Sequence, residues 1–578
     1  MKKLVETHAS TVSYNGNRPP AQSGSLTGIA LCALAFILCI LVNIAPLDRL
    51  AGANQLFALP TNTFLIAIGA WLPVNFGLTS NLRASQMSTH ILLFVSLVAL
   101  EFIIYGICLW QVQRQPMHGD NRRVLKLIWL GVIIAGLVFV LTPAFLSHDA
   151  FVYAGYGRLL VVHHTNPYFT PLSVYPQDPF FRLDDWRDAT AAYGPLWLGI
   201  CALGALIAGD NPLQYILLYR TLGLIAHLVN VLLVITILRS MKHSPRTVAT
   251  GALLYAWNPL ALQESCLGGH NDTFMVTLML LGLLFCIQAE QRSSNPLTSL
   301  RGYLLPLIAF TSAVLIKFTS APLLALFLIL LVRKALYSTT SQASLRRFRT
   351  LQWRRALMTV IPAGLISVGY ILLCYAPFWI GYSINDIVNS FVSPPSANLS
   401  FGSIFSAIFK WVHAYGLPAQ NWLAIPLQML SMRQSWQYIN FATVAIVMLA
   451  GIVWLWHVPT TRTLTLATLG VLGALLIVTP WFFPWYVIWL VGLAAVCLPA
   501  MQERIVRALV AFALAFSASA HFIYYFRGYA PLGDWIGLTF LCTVGPPILV
   551  LLISLCLPVS RKGKMEKTDY TQISPSKH

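Results

Sequence analysis

Long apolar runs recur along the chain, and each approaches the length that a helix needs to cross a bilayer. A transmembrane helix takes roughly 20 consecutive, predominantly apolar residues. Of the 578 residues, 57% are hydrophobic and only 10% are charged, which is more apolar surface than a soluble fold of this size can bury. A transmembrane barrel would instead show short segments in which apolar and polar residues alternate. The pattern therefore predicts an all-α polytopic membrane protein.

Lysine and arginine are concentrated in the short connections between these runs and in the C-terminal tail. Cytoplasmic connections of membrane proteins carry such an excess of positive charge. We therefore interpret the formal net charge of +19 as a signal of topology and expect no nucleic-acid partner. The clusters predicted to face the cytoplasm, together with both termini, are Arg114/Arg122/Arg123, Arg239/Lys242/Arg246, Arg333/Lys334 with Arg346/Arg347/Arg349/Arg354/Arg355, Arg504/Arg507 and Arg561/Lys562/Lys564/Lys567.

Threading helices between these clusters predicts a bundle of about 13 to 15 transmembrane helices with interfacial helices on the outer face. A polar tail over 1–25 and a basic tail over 558–578 are predicted to flank a transmembrane domain over 26–557. The predicted spans cover 26–46, 90–111, 124–146, 213–238, 247–263, 272–289, 302–319, 320–336, 356–380, 438–457, 462–480, 484–500, 507–526 and 534–557.

Besides the first loop at 47–89, this topology places four notable regions on the outer side: 145–192, 264–271, 381–437 and the turn Trp481-Phe-Phe-Pro-Trp485. The apolar stretch 194–209 is interpreted as a re-entrant or interface-lying helix, because counting it as a span would place the Arg239 cluster outside. Every segment with candidate chemistry then lies on the same face of the membrane.

Asp149 stands where an apolar run ends and an aromatic-rich segment begins. On a helix that starts near Ser147, Asp149, Tyr153 and Tyr156 recur at positions i, i+4 and i+7 and share one face. Aromatic rings pack against the C–H surface of a sugar, and a carboxylate can take a proton from an attacking hydroxyl. The alternative is an acid at a helix N-terminus within an interfacial aromatic belt, which the helix dipole stabilises by only about 0.3–1 kcal/mol.

The pentapeptide Gly268-Gly-His-Asn-Asp272 precedes another apolar helix. Its His270, Asn271 and Asp272 place three hydrogen-bonding side chains at a helix N-terminus, where free N–H groups favour anions. A phosphate or a sugar fits such a position. Helix capping by Asn271 or Asp272 is the alternative, and it accounts for one residue but not for the whole motif.

Lys317 lies between apolar neighbours, and an intramembrane lysine costs roughly 2.5–3.5 kcal/mol. Two compensations remain open: pairing with a lipid-linked phosphate, or extension of the side chain to the interface. Arg220 is a second candidate for binding phosphate. Glu101 is also predicted within a span and has no predicted partner or role.

Metal and disulfide sites are not indicated. His163 and His164 are adjacent, so on a helix they point about 100° apart, and they lack a third ligand at a recognisable spacing. The acids Asp184, Asp185 and Asp188 read as a solvated loop, although a divalent cation stays open as a cofactor. Most of the ten cysteines lie inside apolar runs, which is typical of buried free thiols.

Several short segments, taken in order, resemble the bacterial polyprenol-phosphate-mannose-dependent α-1,6-mannosyltransferases of the GT-C superfamily. The resemblance extends over about residues 140–490. The matching segments are Asp149-Ala-Phe-Val-Tyr153 with Gly157-Arg158, Asn166-Pro-Tyr168, Tyr193-Gly-Pro-Leu196, Asn258-Pro259, Gly269-His-Asn-Asp272, Lys317 and Pro484-Trp-Tyr486.

This resemblance implies a GT-C-like fold in the cell membrane and an active site on its extracytoplasmic face. It implies inverting transfer of a hexose, in that family mannose, from a polyprenyl-phosphate donor to a glycan or glycolipid acceptor, with the lipid bilayer as a further partner. Asp149 becomes the candidate catalytic base. The candidate substrate-binding residues are Tyr153, Arg158, Asn166, Tyr168, Tyr193, Arg220, His270, Asn271, Asp272, Lys317, Trp485 and Tyr486.

Two segments depart from the family pattern, His163-His164 and Trp481-Phe-Phe483, and they leave the sugar and the acceptor open. The alternative function is a transporter or a flippase for lipid-linked sugars, since many spans with Lys317 and Glu101 also suit a pathway. Transporters tend to show two related halves with interrupted helices at matching positions. The sequence shows no such symmetry, which favours the transferase.

Overall fold

The computed structural model describes residues 24–53, 84–115, 121–142, 146–292, 300–336, 353–392, 412, 424–479, 482–498, 501, 503–524 and 541–558. Within these ranges the chain is helical and contains no strand. Ten of the described helices are long and apolar enough to cross a membrane. The predicted all-α polytopic class is therefore confirmed. Most of the two predicted tails and of the outer segment 381–437 lies outside the described residues.

The described helices follow one another with short connections through most of the chain. In chain order they are α1 Gly24–Ala53, α2 Ala84–Arg114, α3 Arg122–Leu141, α4 Asp149–Val161, α5 Pro195–Ala208, α6 Pro212–Ser240, α7 Pro245–Ala256, α8 Pro259–Cys266, α9 Asp272–Arg292, α10 Leu304–Ile316, α11 Ala321–Leu336, α12 Trp353–Trp379, α13 Ile384–Val392, α14 Ala424–Ser431, α15 Arg433–His457, α16 Thr461–Val478, α17 Ile488–Cys497, α18 Arg504–Ser519 and α19 Gly545–Cys556. Short 3₁₀ turns occupy Leu172–Val174, Leu300–Tyr303, Phe318–Ser320 and Pro484–Val487.

The buried centre of the bundle is formed by α6, α7, α8, α9 and α17, and α6 and α17 each pack against the other four. The most apolar window of α9 is 67% buried, whereas those of α12 and α15 are only 11% buried. The outward side chains of α12 and α15 are apolar, such as Leu365 and Phe441. A helix that exposes apolar groups in this way is suited to contact lipid. The polar site described below lies instead among the buried helices.

Three predicted spans are not single continuous helices: 302–319 and 484–500 each contain a 3₁₀ turn, and 247–263 is divided into α7 and α8. Pro259 lacks the N–H that would continue the helix, and the side chain of Asn258 accepts a hydrogen bond from Ala261 N at 3.0 Å to cap α8. With 12 and 8 residues, α7 and α8 are each too short to cross the hydrocarbon. The break lets α8 turn inside the protein and deliver the Gly268–Asp272 motif to its centre.

Two further predictions concern α5 and Glu101. α5 has 14 residues, or roughly 21 Å of helix, less than the roughly 30 Å of the hydrocarbon, which fits the predicted re-entrant segment. The expectation that Glu101 lacks a partner is wrong, since Asn43 Nδ2 donates to its Oε1 at 3.2 Å. Glu101 therefore takes part in a buried hydrogen bond between α1 and α2.

Candidate active site

Asp149 is the first residue of α4 and lies almost fully buried, with 9% of its side chain exposed. Ser147 Oγ donates to its Oδ1 at 3.1 Å, and the hydroxyl of Tyr153 donates to its Oδ2 at 3.4 Å. The second contact confirms the predicted common face of Asp149 and Tyr153. Since hydrogen bonds to an ionised carboxylate favour that form, both donors help to hold Asp149 as a carboxylate.

The loop between α8 and α9 brings His270 to Asp149. Gly269 has a φ of +66°, a left-handed conformation that glycine adopts without steric cost. A Cβ atom on Gly268 would collide with the imidazole of His270. With both glycines present, His270 Nδ1 lies 3.2 Å from Asp149 Oδ2, and the ring stacks on Trp485 with centroids 4.0 Å apart.

Asp149 and His270 determine each other's ionisation. Burial by itself raises the pKa of Asp149, but the hydrogen bond and positive charge of His270 outweigh burial, so the pKa lies below its usual value. Burial alone would lower the pKa of His270, but contacts with the carboxylates of Asp149 and Glu264 raise it to about 9. At neutral pH the site therefore contains a carboxylate beside an imidazolium.

Lys317 lies in extended backbone between α10 and α11 and reaches the first residue of α9. Its Nζ donates to both carboxylate oxygens of Asp272, at 2.9 and 3.0 Å. The indole N–H of Trp489 donates to the same carboxylate at 2.6 Å, and Nζ lies 4.3 Å from the ring centre of Tyr486. Because Lys317 is buried and paired, extension to the interface does not compensate its charge.

Asn271 lies between His270 and Asp272 and is fully buried. Its backbone N–H donates to the hydroxyl of Tyr153 at 3.4 Å. Neither the oxygen nor the nitrogen of its side-chain amide has a hydrogen-bond partner within the described part of the chain. Since buried polar groups are almost always satisfied, this amide is suited to bind a polar ligand.

Tyr193 lies beside Asp149 and Tyr153. Its ring contacts that of Tyr153 edge to face with centroids 5.6 Å apart. Tyr168 donates its hydroxyl to the carbonyl of Tyr193 at 2.8 Å, while Asn166 accepts from Tyr168 N at 3.1 Å and donates to the carbonyl of Phe378 on α12. Asn166 and Tyr168 therefore hold Tyr193 in place without contacting Asp149 themselves.

The sequence that builds this site matches sequences of known proteins. A family model described as the N-terminal domain of α-(1→6)-mannopyranosyltransferases matches residues 61–333, a range that contains Asp149, the Gly268–Asp272 loop and Lys317. The chain is related to the α-(1→6)-mannopyranosyltransferases. The family resemblance drawn from the motifs is therefore confirmed.

Individual relatives align with this chain over limited segments. α-(1→6)-Mannopyranosyltransferase A of Corynebacterium glutamicum is 28% identical over 163 residues, which cover 28% of this chain and 31% of that protein. The protein of the same name from Mycobacterium tuberculosis is 28% identical over 186 residues, or 31% of this chain and 33% of that protein. The alignments thus span about a third of each relative. No solved structure gives a significant match.

Arg158 lies away from Asp149. It follows Asp149 by nine residues on α4, so it lies roughly 13 Å farther along the axis and half a turn around the helix. Its guanidinium donates to both oxygens of Asp178 at 2.9 and 3.0 Å and also pairs with Asp210. The predicted contact of Arg158 with substrate is not supported by this position, because the guanidinium already ties α4 to the loops around it.

Arg220 is likewise engaged by the protein. Its guanidinium donates to the carbonyl of Leu267 at 2.8 Å and to the carbonyls of Val140 and Thr142 at the end of α3. These carbonyls have no partner within their helix. Its contacts make Arg220 a connection between α3, α6 and the end of α8, and they do not support the predicted role in binding phosphate.

Three residues of the site were not identified from the sequence: Glu264, Trp489 and Tyr524. Glu264 lies on α8 within reach of His270, and its Oε1 accepts from the hydroxyl of Tyr524 at 2.6 Å. An acid inside an apolar segment was the available signal for Glu264. Nothing local marks Trp489 or Tyr524, because each contacts the site across more than 200 residues of sequence.

Proposed function

We propose that the protein is a mannosyltransferase that moves a mannosyl unit from a polyprenyl-phosphate donor to a hydroxyl of a glycan or glycolipid acceptor. The transfer takes place at the extracytoplasmic face of the cell membrane, in one displacement with inversion. Relatives named as α-(1→6)-mannopyranosyltransferases support the sugar. The observation that carries the reaction type is the buried, ionised carboxylate of Asp149 beside the Gly268–Asp272 loop.

In the proposed reaction Asp149 acts as general base. It takes the proton from the acceptor hydroxyl while that oxygen attacks the anomeric carbon. The bond from the anomeric carbon to the phosphate oxygen breaks, and its electron pair leaves with the polyprenyl phosphate. Since the carboxylate is ionised at neutral pH, it is ready to accept this proton, although its lowered pKa makes it a weak base that depends on close placement of the acceptor.

Two cations near Asp149 can oppose the charge that develops on the phosphate. Lys317 is close enough for its charge to lower the pKa of Asp149, and His270 contacts the carboxylate directly. Charges fixed before the reaction act where new charge appears in the transition state. The unpaired amide of Asn271 supplies a donor and an acceptor for a sugar hydroxyl or for a phosphate oxygen.

Aromatic groups enclose these polar atoms. Trp485 stacks on His270, and Tyr486 stacks on Trp489 with centroids 5.0 Å apart. Together with Tyr153 and Tyr193 they offer ring faces and edges to a sugar and to the first isoprene units of the donor. The divalent cation left open by the sequence has no candidate ligand set of three or more His, Cys, Asp or Glu among the described residues, and the proposed steps use the side chains alone.

The test uses the full-length protein purified in lipid nanodiscs, a synthetic polyprenyl β-mannosyl phosphate and an octyl α-mannoside acceptor. Asp149→Asn keeps the shape of the side chain but cannot accept the proton, so we expect transfer to fall by at least about 100-fold, within the range that general base catalysis contributes. The matched control is Asp188→Asn, an exposed acid of the same outer segment, which should transfer as the wild type does.

Product analysis completes this test. An α-linked disaccharide from the β-linked donor demonstrates inversion, which nuclear magnetic resonance of the product establishes. Wild-type transfer that survives in folded Asp149→Asn protein rejects the proposed mechanism. Movement of the labelled donor between leaflets of a liposome, without formation of product, would instead support the flippase.

A further inference from the structure

Glu264 is a fully buried acid that none of the proposed catalytic steps uses. It lies on α8, its Oε1 accepts from the hydroxyl of Tyr524 at 2.6 Å, and its Oε2 lies 3.2 Å from His270 Nε2. A carboxylate taken out of water is costly unless it is paired and hydrogen-bonded. The two contacts of Glu264 therefore suggest that this charge serves the imidazole beside it.

His270 is held between two carboxylates. Nδ1 lies 3.2 Å from Asp149 Oδ2, and Nε2 lies 3.2 Å from Glu264 Oε2. The backbone N–H of His270 also donates to the carbonyl of Glu264 at 3.4 Å, and Trp485 covers one face of the ring. A ring with a carboxylate at each nitrogen has one favourable state, in which both nitrogens carry a proton.

We propose that Glu264 is a positioning residue for the catalytic base and acts on Asp149 through His270. It keeps the imidazole protonated and directs the Nδ1 proton toward Asp149, which fixes the orientation of the carboxylate that receives the acceptor proton. A base oriented by a second group, which is oriented by a third, is a recurring arrangement in enzymes. This inference rests on the proposed function, because it assigns Asp149 the role of base.

Other charged and titratable groups surround this trio. The groups that face it are Tyr153 and Tyr156 on α4, Asp184 and Tyr193 between α4 and α5, Asp272 on α9, Lys317 between α10 and α11, and His521 and Tyr524 after α18. Asp272 and Lys317 pair with each other. Replacement of Glu264 by glutamine leaves all of these groups in place, so a change in the pH dependence can be assigned to the lost charge at Nε2.

The experiment measures kcat/KM against pH for wild-type protein and for Glu264→Gln, with the donor and acceptor used above. Glutamine can still accept from Tyr524 but brings no charge to His270. We expect the alkaline limb of the profile to move down by at least about one pH unit, and the rate at pH 9 to fall by at least about fivefold. KM for the donor should stay within about twofold, because Glu264 is fully buried and in this inference acts only through His270.

The matched control is Glu290→Gln, which removes a carboxylate that pairs with Lys334 at 2.6 Å, outside the site. Its pH profile should match that of the wild type. If Glu264→Gln retains activity and its alkaline limb does not move, the inference is wrong. Loss of activity at every pH in folded protein, with no movement of the limb, likewise overturns it.

A double variant keeps the inference testable if Glu264→Gln fails to fold. Glu264→Gln combined with His270→Gln removes both charges of the Glu264–His270 pair, and Asp149 keeps its hydrogen bonds from Ser147 and Tyr153. If Glu264 acts only through His270, the double variant transfers at the rate of His270→Gln alone. A further tenfold loss contradicts the inference. Failure of the proposed function would be seen in a different variant, because Asp149→Asn would then transfer mannose at the wild-type rate.

Discussion

The ammonium group of Lys317 lies 2.9 Å from Oδ1 of Asp272, so the charges of these two residues neutralise each other inside the protein. The sequence had offered a lipid-linked phosphate or the membrane interface as the compensation for Lys317. Asp272 is instead the partner, and the indole of Trp489 donates to the same carboxylate. A phosphate in this site would have to share Lys317 with Asp272, which makes the lysine both a structural and a proposed catalytic residue.

Removal of the lysine charge should destabilise the fold as well as stop transfer. Lys317→Met leaves Asp272 buried without its cation, and breaking a buried ion pair in this way costs about 3–5 kcal/mol. We expect a clearly lower midpoint of thermal unfolding for the purified variant, together with loss of mannosyl transfer to the octyl mannoside.

The two effects separate in a double variant. Lys317→Met with Asp272→Asn removes both charges, and the asparagine can still accept from Trp489. Most of the lost stability should return, whereas transfer should stay low because the cation for the phosphate is missing. Recovery of transfer along with stability would show that Lys317 serves only the fold.

The Asp149–His270 pair predicts how transfer depends on pH. Asp149 has a lowered pKa, so it stays a carboxylate and keeps stabilising the fold until the pH falls below the usual value of 3.8. His270 has a raised pKa, so its contribution is complete below its usual value of 6.5 and is lost as the pH rises through about 9. We expect kcat/KM to be nearly constant from pH 6 to 8 and to fall near pH 9. A fall centred near 6.5 would show that His270 is not held protonated.

The sequence identified the local parts of this site. Asp149 and Tyr153 are four residues apart on one helix, and helical periodicity alone places them on a common face. His270, Asn271 and Asp272 are adjacent at a helix N-terminus. Long apolar runs gave most helices, because a span in lipid must satisfy its own backbone hydrogen bonds.

Contacts between distant parts of the chain could not be predicted in the same way. Glu264 and Tyr524 are 260 residues apart, and no periodicity relates two such positions. Arg158 was predicted to contact the substrate, because nothing local in the sequence identifies its partners Asp178 and Asp210, which lie in separate loops. A charged side chain in an apolar segment indicates that a partner exists, but only the fold decides whether that partner is substrate or protein.

The division between α7 and α8 is a different case, because its signal was present in the sequence. Asn258-Pro259 combines a strong N-cap residue with proline at the first helical position, a recognised start of a helix. The continuous apolar run over 247–263 concealed this start, since hydropathy does not distinguish one span from two short buried helices. The N-cap at Asn258 therefore decided the structure, although the apolar run was long enough for one span.

Gly194 joins Tyr193 to α5 and provides the last prediction. Its N–H donates to the carbonyl of Ile316 at 3.1 Å, next to Lys317, and a Cβ atom there would collide with the carbonyl of Leu315. Gly194→Ala should cost about 1–3 kcal/mol and reduce transfer by moving Tyr193 from Lys317. The control is Gly199→Ala on α5, where nothing lies within 4 Å of the new Cβ and alanine should stabilise the helix by about 0.5–1 kcal/mol. Gly194→Ala should therefore lower both the midpoint of thermal unfolding and the rate of transfer, whereas Gly199→Ala should keep or raise the midpoint and leave transfer unchanged. Equal losses in both variants would show that the contact with Leu315 does not determine the geometry of the site.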